Sequence, residues 1–207
     1  MSNFGDINAD VSIGASQSIR RNAGDTAYEA FTPSGNNAQG LFYSGKWMGF
    51  NCATYNVGSG WDGLIYTTPY IVRANHTVTD IRIPITTGVA LGTVRLALYT
   101  DLNGYPDALI EDSGDLTATG AGEISFTFTT PVLLNEAIYH MCLQTSSATI
   151  ASRYWTAGNY NLPRTSGAIP FVSYKIAQAY GAYPSTFAGS ATEAASSNQP
   201  MLELQAQ

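Results

Sequence analysis

Apolar and polar residues alternate with period two through much of the chain beyond residue 40. Ile81, Ile83 and Ile85 alternate with Arg82 and Thr86. Val94, Leu96 and Leu98 alternate with Arg95, Ala97 and Tyr99, and Ile124, Phe126 and Phe128 with Ser125, Thr127 and Thr129. Successive side chains of a strand point to opposite faces, so each run predicts a half-buried antiparallel strand. Residues 137–144, AIYHMCLQ, are apolar at both parities, which predicts a central strand. Residues 171–176 and 201–205 supply two more. No segment sustains a 3.6-residue period over three turns. Gly, Asn, Asp and Pro punctuate the strands at intervals of roughly eight to twelve residues, the spacing of a two-sheet sandwich. The predicted fold is all-β: an antiparallel β-sandwich, jelly-roll-like, over residues 41–207.

The first 40 residues follow another pattern. They are rich in Gly, Ala, Ser, Asn and Asp and poor in large aliphatics. Within them, residues 17–21 and 26–31 predict two short strands around a turn at Asn22, Ala23, Gly24 and Asp25. A lone hairpin is marginal in water and needs a surface to pair with. Thr32-Pro33-Ser34-Gly35-Asn36-Asn37 has linker composition. The expected organisation is an extended arm with a hairpin over 1–40, serving attachment or trimerisation, and a sandwich domain over 41–207.

Composition narrows the partners. The chain has 207 residues and a net charge of −6, and only 12% of its residues are charged. No basic stripe exists to neutralise phosphates, so nucleic acid is not an expected partner. No apolar run approaches the roughly 18 residues of a membrane span. Met1 to Asp10 carries two acidic residues and no basic one, so no classical secretion signal is expected. The Asn75-His76-Thr77 triplet is then an incidental glycosylation pattern. Cys52 and Cys142 have no metal-binding spacing. Two buried free thiols are the simpler reading, one disulfide the alternative.

Candidate chemistry is sparse. The histidines are His76 and His140, and no G-x-S-x-G elbow occurs. His140 and Cys142 share one strand face, which admits a Cys/His pair but also a packed histidine beside a core thiol. Asp101, Asp107, Glu111, Asp112 and Asp115 are dense enough to offer a glycosidase pair. They also lie where turns recruit Asp. Asp101, Asn103 and Asp107 are a weak calcium candidate without the EF-hand spacing. The chain is therefore expected to be no enzyme and to need no cofactor. Sugar recognition uses aromatic faces with nearby amides, and Trp47, Trp61, Tyr66, Tyr70, Tyr154, Trp155 and Tyr160 qualify by type. Residues 153–163, RYWTAGNYNLP, read as a rim loop, with Tyr154, Trp155, Asn159, Tyr160 and Asn161 as candidate ligand contacts. The same rings could cap the core or fill a subunit interface.

Residues 92–114, GTVRLALYTDLNGYPDALIEDSG, resemble a jelly-roll module of bacteriophage virion proteins and some bacterial surface proteins. The shared pattern is Y-x-D/N-x-N-G-x-P-x-x-L, here Tyr99, Asp101, Asn103, Gly104, Pro106 and Leu109. Thr130-Pro131-Val132 and Tyr139 resemble the next part of that module, and residues 180–204 resemble the close of such phage domains. Residues 14–31 resemble hairpin elements of trimeric phage attachment proteins. The resemblance implies a virion protein of fibre, spike or decoration type, homotrimeric. It would be held by its arm to portal, neck, tail or capsid proteins. Similar jelly rolls serve as carbohydrate-binding modules, which implies the alternative of a receptor-recognition module contacting a host-surface glycan.

Overall fold

The computed structural model describes residues 18–21, 28–31, 45–48, 55–155, 173–187, 192–194 and 199–207. The chain divides into two compact units, Met1–Leu41 and Phe42–Gln207. In the first, β1 (Ser18–Arg21) pairs antiparallel with β2 (Tyr28–Phe31), placing Ser18 opposite Phe31 and Arg21 opposite Tyr28. The turn and the linker expected on either side of β2 lie outside the described residues.

The second unit contains β3 (Trp47–Met48), β4 (Tyr55–Gly58), β5 (Leu64–Val72), β6 (His76–Thr87), β7 (Thr93–Leu102), β8 (Tyr105–Asp112) and β9 (Leu116–Thr117). It continues with β10 (Gly122–Leu134), β11 (Ala137–Thr145), β12 (Ala151–Trp155), β13 (Ser173–Ala177), β14 (Thr192–Ala194), β15 (Gln199–Pro200) and β16 (Glu203–Ala206). These form two seven-stranded antiparallel sheets. Sheet I runs β15-β12-β6-β16-β3, with β10 also paired to β6 and β4 to β12. Sheet II runs β14-β13-β5-β11-β7-β8, with β9 beside β7. The chain crosses repeatedly: β5, β7, β11 and β13 lie in sheet II, while β6, β10, β12 and β16 lie in sheet I. The protein is an all-β antiparallel sandwich, and among the described residues no helix is long and apolar enough to cross a membrane.

The alternating runs do what their period dictates. Ile81, Ile83 and Ile85 of β6 meet Val94, Leu96 and Leu98 of β7 and Tyr139, Met141 and Leu143 of β11 in the core between the sheets. β11 is central, hydrogen-bonded to β5 on one side and β7 on the other. The expected final strand is displaced: residues 201–205 do not form one run. Leu202 N bonds Pro200 O in a tight turn, which separates β15 from β16.

β7 departs from the half-buried expectation. Ala97 and Tyr99, on its other face, are buried too, and with Ile65, Cys142, Ile176, Tyr183 and Phe187 they form a second core. The cover is residues 178–187, a strap across the outer face of sheet II. Gln144 of β11 holds its start, donating from Nε2 to the carbonyls of Gln178 and Ala179 and accepting from Gly181 N. Tyr183 Oη donates to Arg95 O at 2.9 Å, and Tyr99 Oη to Pro184 O at 2.6 Å. The strap ends against β8, where Leu109 N bonds Ser185 O and Phe187 N bonds Asp107 O. Burying rings the size of Tyr183 and Phe187 contributes roughly 1.5–3 kcal/mol each.

Candidate functional site

The β7–β8 turn carries the Y-x-D/N-x-N-G-x-P-x-x-L pattern, and its side chains hold the hairpin. Asn103 and Gly104 take left-handed φ values of 56° and 90°, as a tight turn of this kind requires. Asp101 Oδ2 accepts from Gly104 N at 2.9 Å, and Asp101 Oδ1 lies 2.8 Å from His140 Nε2. Asp107 contributes its backbone carbonyl to Phe187 N. Among the described residues, no cluster of three or more His, Cys, Asp or Glu could hold a metal ion.

The other acidic residues of this stretch are engaged structurally. Asp112 pairs with Arg95 at 2.8 Å and accepts from Gly114 N and Tyr183 N. Asp115 accepts from Arg95 at 2.9 Å and from Tyr180 Oη at 3.1 Å. Burial, ahead of the acceptor Asp115, pushes the Tyr180 hydroxyl up to about 12. Glu111 takes both Thr129 N and Thr129 Oγ1, tying β8 to β10 across the sandwich edge.

His140 and Cys142 do share a face, and it is the one under the strap. Cys142 is a fully buried free thiol. Burial pushes its pKa up, away from the thiolate a nucleophile needs. His140 is fully buried, and desolvation lowers its pKa more than Asp101 raises it. Cys52 lies outside the described residues.

The stretch 153–163 begins as strand. Arg153, Tyr154 and Trp155 belong to β12, with Arg153 opposite Val57 and Trp155 opposite Tyr55. Tyr154 turns inward. Its ring lies edge-on to Trp61 with centroids 6.0 Å apart and fills the space beside Gly58, where an added Cβ would meet it at 2.5 Å. Asn159, Tyr160 and Asn161 lie outside the described residues. Trp61, Tyr66 and Tyr70 also serve the core between the sheets. Trp61 is buried and donates from Nε1 to Gly58 O.

Trp47 is different. Its neighbour Met48 packs on the core, so Trp47 points outward from sheet I. There the Arg82 guanidinium lies over its ring at 4.2 Å. Arg82 also donates to Glu203 and Glu123, both at 2.6 Å. One register step along, Thr127 of β10, Asp80 of β6, Gln205 of β16 and Trp47 of β3 form a row across four strands. A second Arg–aromatic pair, Arg153 over Tyr55 at 4.7 Å, joins β12 to β4. Period two at Ile81, Ile83 and Ile85 puts Arg82 outside, but nothing local in the sequence links Asp80, Arg82, Gln205 and Trp47.

No protein-family model matches the chain, and no curated protein matches it.

Proposed function

We propose that the chain is a structural protein of a bacteriophage virion, of fibre, spike or decoration type. Its segment 1–40 is the anchor, and the sandwich is the displayed body. The observation that carries this reading is how the phage-like motif is used. Tyr99, Asp101, Asn103 and Gly104 set the β7–β8 turn and fasten it to the strap and to β11. A motif spent on scaffolding fits a load-carrying module better than a reaction centre. Engagement of Asp112 and Asp115 in ion pairs with Arg95, and of Asp101 in the turn and the hydrogen bond from His140, supports the same reading. Self-assembly into a homotrimer through the hairpin belongs to it, because β1 and β2 pair only with each other among the described residues and two-stranded ribbons need partners.

Antibody against the chain should label purified particles from the producing lysate. Light scattering of the full-length protein should give three times the 22.0 kDa chain mass. Absence of label from particles overturns the virion assignment. A stable monomer on the particle as well as in solution overturns the trimer.

A further inference from the structure

The two sheets treat their edges differently on the side where β8 and β10 meet. β8, the outermost strand of sheet II, has its free edge taken up by the strap: Leu109 N bonds Ser185 O, Phe187 N bonds Asp107 O, and Ala108 bridges Thr186. β10 pairs with β6 alone, and among the described residues no strand takes its other edge. We infer that this edge of β10 is a self-association surface, on which a second copy of the chain adds its own β10 antiparallel about a two-fold axis at Ser125.

The register of sheet I fixes which backbone groups are offered. Pro84 of β6 stands opposite Glu123, and a proline has no N–H to give. That pair is therefore a non-hydrogen-bonded one, in which both residues turn their N–H and C=O away from each other. Period two carries the same direction to Ser125 and Thr127. β6 agrees: Arg82 and Asp80, opposite those residues, are paired on their far side to Glu203 and Gln205 of β16. Glu123, Ser125 and Thr127 thus aim their backbone donors and acceptors at the open edge, and all three are exposed. Edges of this kind are usually blunted with lysine, proline or a bulge. Here the irregularity between Thr127 and Val132, with Pro131 in it, ends the run but leaves residues 122–127 in regular register. The single charge in that run, Glu123, is held by Arg82 at 2.6 Å.

The sequence of the edge suits its own copy. With Ser125 opposite the second copy's Ser125, Glu123 meets Thr127 and Thr127 meets Glu123, and these pairs exchange about six backbone hydrogen bonds. No like charges stand directly opposite, whereas a shift that sets Glu123 against Glu123 would oppose them. The second copy's Asp80 lies two strands from Glu123, about 10 Å away, where salt screens the repulsion. On the inner face the same register sets Ile124 against Phe126. Both pack on the core from an edge strand yet remain only half-buried, as do Ile110 of β8 and Leu116 of β9. Contacts between ring and aliphatic side chain across the seam cover what β10 leaves exposed, and cross-strand pairs of that kind stabilise a sheet. Pairing through β10 needs neither the virion assignment nor the hairpin trimer, and each can fail alone.

Sedimentation of the full-length protein at rising concentration should show its mass climbing to at least twice the low-concentration value, whether that value is a monomer or a trimer. Ser125→Lys sets two charges face to face, and Ser125→Pro removes a donor that β6 does not use, so neither change breaks the sheet of a single chain. Each should weaken the association at least about tenfold while the melting temperature moves little. Register is read by cysteines placed in a Cys52→Ser background under mild oxidation. Paired Cα atoms about 5.5 Å apart lie within disulfide reach, and residues several positions out of register do not. Ser125→Cys should therefore link to itself, while Glu123→Cys and Thr127→Cys should link when mixed and not alone. The proposal is overturned if mass is independent of concentration, or if Ser125→Lys and Ser125→Pro associate like the parent. It is also overturned if Glu123→Cys links to itself as readily as Ser125→Cys, which would place the contact elsewhere than a two-fold seam at Ser125.

Discussion

His140 Nε2 lies 2.8 Å from Asp101 Oδ1, joining the central strand of sheet II to the turn that leaves β7. His140 stands directly opposite Tyr99, and Asp101 is the next residue of β7 on that face. A carboxylate only accepts, so Nε2 carries the ring proton. The second oxygen of Asp101 caps Gly104 N, so one side chain serves both strand and turn. Asp101→Ala should therefore cost more than a usual surface change, about 1–3 kcal/mol for a buried donor left unsatisfied. Asp101→Asn keeps an acceptor for Gly104 N and should cost less. Urea denaturation of the two variants measures the difference.

The same pair sets a pH dependence. The folded-state pKa of His140 lies below the ordinary 6.5, because burial disfavours the charged ring. The unfolded chain then binds more protons than the folded one between the two values. Stability is full above 6.5 and falls as pH drops through that window. Its slope for one such group is at most about 1.4 kcal/mol per pH unit. His76, also lowered by desolvation, adds in the same direction. Melting temperatures should drop between pH 7 and 5, and His140→Gln should flatten that drop. An equal slope in the variant would assign the effect elsewhere.

The strap should be a stability element. Phe187 packs edge-on against Tyr99 with centroids 4.4 Å apart and is almost fully buried. Phe187→Ala should cost about 3–5 kcal/mol, as for other large core truncations. Tyr183→Phe removes only the bond to Arg95 O, worth about 0.5–1.5 kcal/mol. In a Cys52→Ser background, Cys142 should resist a thiol reagent, and Phe187→Ala should speed its labelling. Fast labelling of the parent protein would show that the strap opens readily.

The sandwich was legible because its inner face obeys one rule at many positions. Ile81, Ile83, Ile85, Val94, Leu96 and Leu98 announce their side by period two, and residues 137–144 show a central strand by being apolar at both parities. The second core was legible in part: residues 137–144, apolar at both parities, point to a packed His140 beside a core thiol at Cys142, but Tyr99 looks like an outer-face residue and the strap that covers all three, YGAYPSTF, has no period. Its signal is three aromatic rings and a proline in a segment too irregular to be a strand. The Trp47–Arg82 face was hidden for another reason. Its members come from β3, β6, β10 and β16, and only the register of sheet I brings them together.

Removing residues 1–40 should leave a soluble, folded sandwich that no longer joins the particle. Among the described residues, the buried members of both cores lie beyond residue 60, so the deletion removes none of these. Circular dichroism should keep its β signature and the melting temperature should move little. Normal incorporation of the truncated chain would give the arm another role.

The last prediction separates three consecutive residues, Arg153, Tyr154 and Trp155, that the sequence offers as one recognition patch. Tyr154 faces inward against Trp61 and the core between the sheets. Tyr154→Ala should cost several kcal/mol, since a large half-buried aromatic leaves a cavity beside Gly58. Gly58→Ala should also destabilise, because its new methyl would overlap that ring, while Gly58→Ala combined with Tyr154→Ala should recover part of the loss. Arg153 faces outward over Tyr55, and Arg153→Ala should change stability by less than about 1 kcal/mol, as expected of an exposed cation–π pair. The double change Trp155→Ala with Tyr160→Ala is expected to leave the melting temperature nearly unchanged. If that double variant weakens host or particle binding, the rim beyond β12 is a contact surface. If it unfolds, both rings belong to the core and recognition by residues 153–163 fails.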